Sequence, residues 1–146
     1  MVRLPCMLAT LRRATRAVSC LYEEEMRRIG LRGMQYSLLR TLSEIDALRP
    51  GGAAQGMLAE VIGMDQTTLT RNLRLLARKG WVAIRPGETD RRERIVRLSA
   101  AGRAIVNKGF ARWQAAQTRF AESMGPSDWR ALGELLPVAT TAAMKA

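Results

Sequence analysis

Residues 64–98, MDQTTLTRNLRLLARKGWVAIRPGETDRRERIVRL, constrain this chain more than any other stretch. Asp65 is a helix-capping residue type. After it Leu69, Leu73, Leu76 and Ala77 recur at intervals of 4, 3 and 1, which predicts the inward face of a helix reaching Lys79. Gly80 is a natural stop, because glycine takes the left-handed conformation that closes a helix. Trp81–Arg85 and Arg94–Leu98 then read as two strands with Val82, Ile84, Val96 and Leu98 turned inward. Pro86-Gly87 opens the turn between them, and Asp90-Arg91-Arg92 forms its basic far side.

The residues before this stretch predict a short helix over Met57–Ile62, with Leu58, Val61 and Ile62 facing a core and Gly63 ending it. Two helices joined by so tight a turn pack nearly perpendicular, and the second projects its amino-terminal half outward. Here that half carries Gln66, Thr67, Thr68, Thr70, Arg71 and Arg74. An amide suits a bidentate contact to adenine, a threonine suits a thymine methyl or a phosphate, and arginine suits guanine or phosphate. The hairpin tip adds a second coincidence: a guanidinium on a β-turn reaches into a narrow minor groove, where negative potential is enhanced. Arg92 is the favoured groove residue over Arg91, and Asp90, two residues earlier, is placed to orient its guanidinium and hold the wing's shape. The plain alternatives are a solvated helix face and a surface ion pair worth under about 1 kcal/mol.

Charge supports a polyanionic partner. The 146-residue chain carries a net charge of +11, from 24 basic and 13 acidic side chains. Within Arg71–Arg97 there are nine basic residues against three acidic ones, so the excess gathers where the motif lies. No apolar run is long enough to span a membrane and no signal-peptide pattern opens the sequence, which makes the cytoplasm the expected location. With no histidine, no nucleophile–base pair, no metal constellation and no phosphate loop, the sequence gives no support to an enzyme, a metal site or a cofactor.

Long helices flank the central unit. From Leu4 the positions Leu8, Leu11, Thr15, Val18, Tyr22, Met26 and Ile29 trace one helical face, which Gly30 ends. A second helix spans about Met34–Asp46, and RPGGAAQG (49–56) is a loop whose Ala-Ala-Gln end suits a very short strand. Ser99 is placed to cap a long helix whose stripe is Val106, Phe110, Trp113, Gln117, Phe120 and Met124. A last helix begins near Asp128, with Pro137 expected to kink or end it. The fold expected is mainly α with a small β-hairpin: one domain over 1–146, a winged helix-turn-helix lobe over 53–99, and dimerisation helices over 4–30 and 100–146. Terminal helices with apolar stripes call for a second copy of the chain, a monomeric bundle being the alternative.

The chain resembles the MarR-type transcriptional regulators. The resemblance rests on Leu58-Ala59-Glu60, Met64-Asp65-Gln66-Thr67-Thr68-Leu69-Thr70-Arg71, Gly80-Trp81-Val82, Asp90-Arg91-Arg92 and Leu98-Ser99-Ala100-Ala101-Gly102, in the family's order and spacing. It extends through Gly30-Leu31 and Gln35-Tyr36 and covers roughly residues 5–136. It implies a homodimer whose first and last helices interlock, with winged units on the two half-sites of a pseudo-palindrome in double-stranded DNA. It also implies repression relieved by a small ligand or by oxidation.

Two signals are open. For a small aromatic or anionic effector, Arg16 is the candidate anchor and Met34, Tyr36 and Trp113 are candidate walls; a salt bridge from Arg16 to one of Glu23–Glu25 is the alternative. For oxidation, Cys6 is the candidate, as the hydroperoxide-sensing branch of the family places a cysteine near the start of its first helix. The position four residues on is Thr10 rather than tyrosine, and the Cys6–Arg16 spacing is about two residues longer than in that branch, turning the side chain by about 200°. Fourteen residues apart on one helix, Cys6 and Cys20 stand about 21 Å apart by rise and cannot pair. A winged-helix module that binds protein instead of DNA is the reading from another class.

Overall fold

The computed structural model describes residues 6–145, so the start of the first apolar stripe, Leu4, lies outside the described residues. Six helices and three short strands follow in the order α1 (Met7–Arg27), α2 (Gly33–Leu48), β1 (Ala53–Ala54), α3 (Gln55–Ile62), α4 (Gln66–Arg78), β2 (Val82–Pro86), β3 (Arg94–Leu98), α5 (Ala100–Met124) and α6 (Pro126–Lys145). The sheet is antiparallel in the order β1-β3-β2, with Val82 opposite Leu98, Ile84 opposite Val96, and Ala53 also opposite Val96. The expected very short strand is thus real, and α3 begins two residues earlier than its apolar period shows.

One core holds the winged lobe together. Leu38, Leu39 and Leu42 of α2, Leu58 of α3, Leu69, Leu73 and Leu76 of α4, and Val96 of β3 are each at most 1% exposed. Burying a leucine of this kind contributes roughly 1.5–3 kcal/mol, so α4 is fixed on the lobe by its three inward leucines. A second, smaller cluster, Met26, Leu31 and Tyr36, joins the end of α1 to α2. Tyr36 donates its hydroxyl to the Val106 carbonyl of α5 at 3.2 Å, and its ring lies where a side chain on Gly109 would project.

The terminal helices are different. Met26 is buried, but Met7, Leu8 and Leu11 at the other end of α1 are exposed. No described residue of α6 is buried, and Leu135, Leu136, Val138 and Met144 face outward. Helix α6 runs through Pro137 to Lys145, so the proline does not end it. Its missing amide leaves the carbonyl one turn back without a donor, at the cost of about 3 kcal/mol that proline carries in a helix interior.

Candidate nucleic-acid interface

The helix-turn-helix is built by local chemistry. Gly63, at φ 68°, closes α3 with its own amide on the Glu60 carbonyl and the Met64 amide on the Ala59 carbonyl. Asp65 then starts α4, its carboxylate accepting the Thr68 amide at 2.8 Å. Hydrogen bonding from Thr68, from its side chain first and then from this amide, holds the Asp65 carboxyl below its usual pKa, because the negative form is the better acceptor. At the other end Gly80, at φ 72°, repeats the α3 arrangement, with the Gly80 amide on Ala77 and the Trp81 amide on Leu76.

With Leu69, Leu73 and Leu76 inward, Thr67, Arg71, Arg74 and Arg78 form an exposed stripe on the opposite side of α4, and Gln66 is exposed at its first turn. Thr68 is half-buried and its carbonyl accepts from Asn72. Thr70 is also half-buried, and its hydroxyl is in use: it donates to the Gln66 carbonyl at 2.7 Å and accepts from Gln55 Nε2 at 2.6 Å. The sequence places Thr70 on the outward face but gives no sign of the α3 residue bound to it.

The wing is a β2–β3 hairpin whose tip is fixed by backbone bonds. Gly87 donates to the Glu93 carbonyl at 2.9 Å, Glu93 to the Asp90 carbonyl at 3.1 Å, and Arg92 to Asp90 Oδ1 at 2.8 Å. Asp90 therefore shapes the turn through the Arg92 amide. Among the described residues its carboxylate makes no ion pair with the Arg92 guanidinium, the contact the spacing suggests. A Cβ on Gly87 would stand 2.6 Å from the Asp90 carbonyl oxygen, so the tight loop requires glycine there. Arg91 and Arg92 are exposed, and among the described residues neither they nor Arg71, Arg74 and Arg78 form an ion pair. Five guanidiniums on the helix and the wing thus carry uncompensated charge to the surface.

Behind this lobe lies a crevice of about 890 Å³ between α1 and α2, closed on one side by Trp113 of α5. Arg16, Met34, Tyr36 and Trp113, the four residues singled out in the sequence, all line it. Arg40 lines it too and has no sequence signal of its own. Its guanidinium lies 3.6 Å from the Trp113 ring centroid and pairs with Glu44 at 2.8 Å. Burial raises the Tyr22 and Tyr36 phenols above the ordinary tyrosine pKa, and the cationic Arg40 pulls both partly back. Cys20 is a lining residue, whereas Cys6 sits exposed at the start of α1, away from the crevice. Both thiols are free.

The MarR family profile matches residues 29–93, from the turn before α2 to the tip of the wing. Over nearly the whole length, the fold is similar to the transcriptional regulator MosR of M. tuberculosis in complex with DNA. The two are 32% identical with a TM-score of 0.82, over 96% of this chain and 97% of that one. The chain belongs to the MarR family of transcriptional regulators. Two more distant structures share its fold. CouR of Rhodococcus jostii bound to p-coumaroyl-CoA is 23% identical, with a TM-score of 0.74 over 90% of each chain. A cysteine-to-serine variant of E. coli MarR complexed with operator DNA is 21% identical, with a TM-score of 0.77 over 90% of this chain and 91% of that one. No curated protein sequence matches the chain.

Membership gives the Leu98-Ser99-Ala100-Ala101-Gly102 run a physical meaning. Leu98 closes the core, while Ser99 Oγ accepts the Gly102 amide at 3.0 Å and donates to the Gly80 carbonyl at 2.6 Å. One hydroxyl thereby caps α5 and ties it to the end of α4. Gly102 sits so close to the Trp81 carbonyl that any Cβ would overlap it. This run is the joint between the winged lobe and the long helix that carries Trp113 to the crevice.

Proposed function

We propose that this chain is a homodimeric, sequence-specific DNA-binding repressor, released from a pseudo-palindromic operator by a small aromatic or anionic ligand held in the α1–α2 crevice. The observation that carries the DNA-binding part is the stripe Thr67, Arg71, Arg74 and Arg78 on α4 beside the unpaired Arg91 and Arg92 of the wing. The helix suits a major groove, and the wing guanidiniums suit the adjacent minor groove. Within this reading Gln66, Thr67 and Arg71 address bases, Thr68 and Thr70 stand beside them on the same turns, Arg74 takes phosphate, and Arg92, on a turn shaped by Asp90, enters the minor groove. MosR in complex with DNA, at 32% identity, supports the reading.

Dimerisation rests on the exposed Met7, Leu8 and Leu11 of α1 and Leu135, Leu136 and Val138 of α6, faces that a second copy would cover. For the ligand, a crevice of about 890 Å³ with guanidiniums from Arg16 and Arg40 and aromatic walls at Tyr36 and Trp113 suits a planar anion. CouR, bound to p-coumaroyl-CoA, is a fold relative with a ligand of aromatic and anionic character.

Footprinting over the DNA upstream of the chain's own coding sequence tests the reading, with and without aromatic carboxylates. A protected region with two symmetric half-sites, lost on adding an effector, is the expected result. Absence of protection at any protein concentration overturns the DNA-binding reading, and protection indifferent to every ligand and to peroxide overturns the release step.

A further inference from the structure

Gln55 is the first residue of α3 and lies in the helix that only supports the recognition helix, yet its side chain reaches α4. Its Nε2 donates to Thr70 Oγ1 at 2.6 Å, while Thr70 donates to the Gln66 carbonyl at 2.7 Å. The first turn of α3 also approaches Gln66 itself: a Cβ on the neighbouring Gly56 would lie 3.9 Å from Gln66 Nε2. Two carboxamides and one hydroxyl, from both helices of the motif, thus converge at the amino-terminal end of α4. That end is the part of the helix that projects outward.

The hydrogen-bond inventory fixes what each group has left. The Thr70 hydroxyl has one proton, given to Gln66, and one of its two lone pairs is taken by Gln55. It therefore has no proton left for a phosphate, whose oxygens only accept. The Gln55 amide gives one N–H to Thr70 and keeps its other N–H and its carbonyl oxygen, one donor and one acceptor on the same planar group. That pair complements the N7 acceptor and N6 donor of adenine in the major groove.

We propose that Gln55 is a specificity-determining residue of the DNA interface, anchored by Thr70 and reading one adenine in each half-site. The proposal rests on the DNA-binding reading given above. Thr70 serves as the positioning residue: it holds the long, flexible glutamine side chain in one rotamer before DNA arrives, so little ordering entropy is lost when the base is met. Gln55 thereby extends readout from α4 onto α3.

The test is selection of preferred sites from randomised duplex DNA by the wild-type protein, followed by affinity measurement on every single-base variant of the selected site. The proteins compared are wild type, Gln55→Ala, Thr70→Val and the double variant. Gln55→Ala is expected to relax discrimination at one A·T position per half-site by about tenfold or more, the range of a lost bidentate base contact. Thr70→Val should relax the same position, and the double variant should lose little beyond either single one, since both changes remove one unit. Thermal melting of each variant separates this outcome from loss of fold, which would weaken all sequences alike. Gln55→Ala retaining the wild-type preference at every position overturns the proposal while leaving DNA binding intact. Relaxation at different positions for the two single variants overturns the anchoring by Thr70. A wild-type protein that selects no sequence removes the DNA-binding reading, and this inference with it.

Discussion

Replacing Gly109 by alanine sets two known effects against each other, and the structure decides which wins. Alanine in a helix interior is favoured over glycine by about 1 kcal/mol, so on α5 taken alone the change stabilises. The added methyl, however, would lie 2.1 Å from Tyr36 Cε2 and 2.5 Å from Cδ2, where ordinary carbon contacts are about 3.5–4.0 Å. Tyr36 cannot yield cheaply. Its ring is 1% exposed and its hydroxyl is bonded to the Val106 carbonyl on the same helix. Overpacking of this kind costs roughly 1–3 kcal/mol, and displacing the ring far enough to orphan a buried hydroxyl adds about 1–3 kcal/mol more. After the helix-propensity gain, the net expectation is destabilisation of about 1–5 kcal/mol. Urea or thermal unfolding at matched protein concentration reads it, with Tm falling by about 2–4 °C per kcal/mol for a chain of this size. Combining the change with Tyr36→Leu should recover part of the loss, because the clashing ring carbons are gone. A Gly109→Ala protein as stable as wild type, or more so, would refute the close α2–α5 packing on which the crevice wall depends.

The other predictions concern the two ends of the interface. Asp65 has a depressed carboxyl pKa, so its cap contributes stability above the unfolded carboxylate value of about 3.9, and loses it as pH falls through the folded value. Asp65→Asn keeps the cap acceptor without the titration; its unfolding curve should therefore be less acid-sensitive than wild type below about pH 4, and identical acid sensitivity contradicts the linkage. Arg92→Ala should weaken binding to the protected site by roughly 1–3 kcal/mol, measured by fluorescence anisotropy, and no measurable loss removes Arg92 from the groove. Asp90→Ala should weaken binding with Arg92 still present, because the Arg92 amide loses its acceptor and the wing tip loosens.

Much of this architecture was legible because it is made locally. Asp65, Gly63 and Gly80 each act within a few residues of themselves, as does Ser99 in capping α5, although its hydroxyl also reaches the distant Gly80 carbonyl. The β2–β3 register follows from alternation around a short turn. What the sequence hid is made by contacts between distant elements. Arg40 is an ordinary polar position on α2 until Trp113 of α5 comes to lie 3.6 Å from it. Thr70 sits on the helix face expected, but a glutamine from α3 occupies its hydroxyl. On α5 the large side chains misplace the buried stripe: Phe110 is exposed, while Gly102, Gly109 and Ala116 are buried. Close helix contact selects small residues, which a hydrophobicity period does not count. Asp90 bonds a backbone amide in the wing turn, and spacing alone does not tell an amide from a guanidinium.

In the proposed function, unpaired guanidiniums on α4 and the wing meet the DNA backbone and grooves. The most direct test is the salt dependence of affinity for the protected site. Each phosphate neutralised releases counterions, so a dimer making about six or more such contacts should lose on the order of a thousandfold in affinity between 50 and 200 mM salt. Replacing Arg74 by alanine should make that slope shallower by about one contact per protomer. A steep, linear fall of log affinity with log salt, flattened by the Arg74 change, is the predicted result. An affinity that hardly moves across that range would contradict the account and favour a winged module that binds something other than DNA.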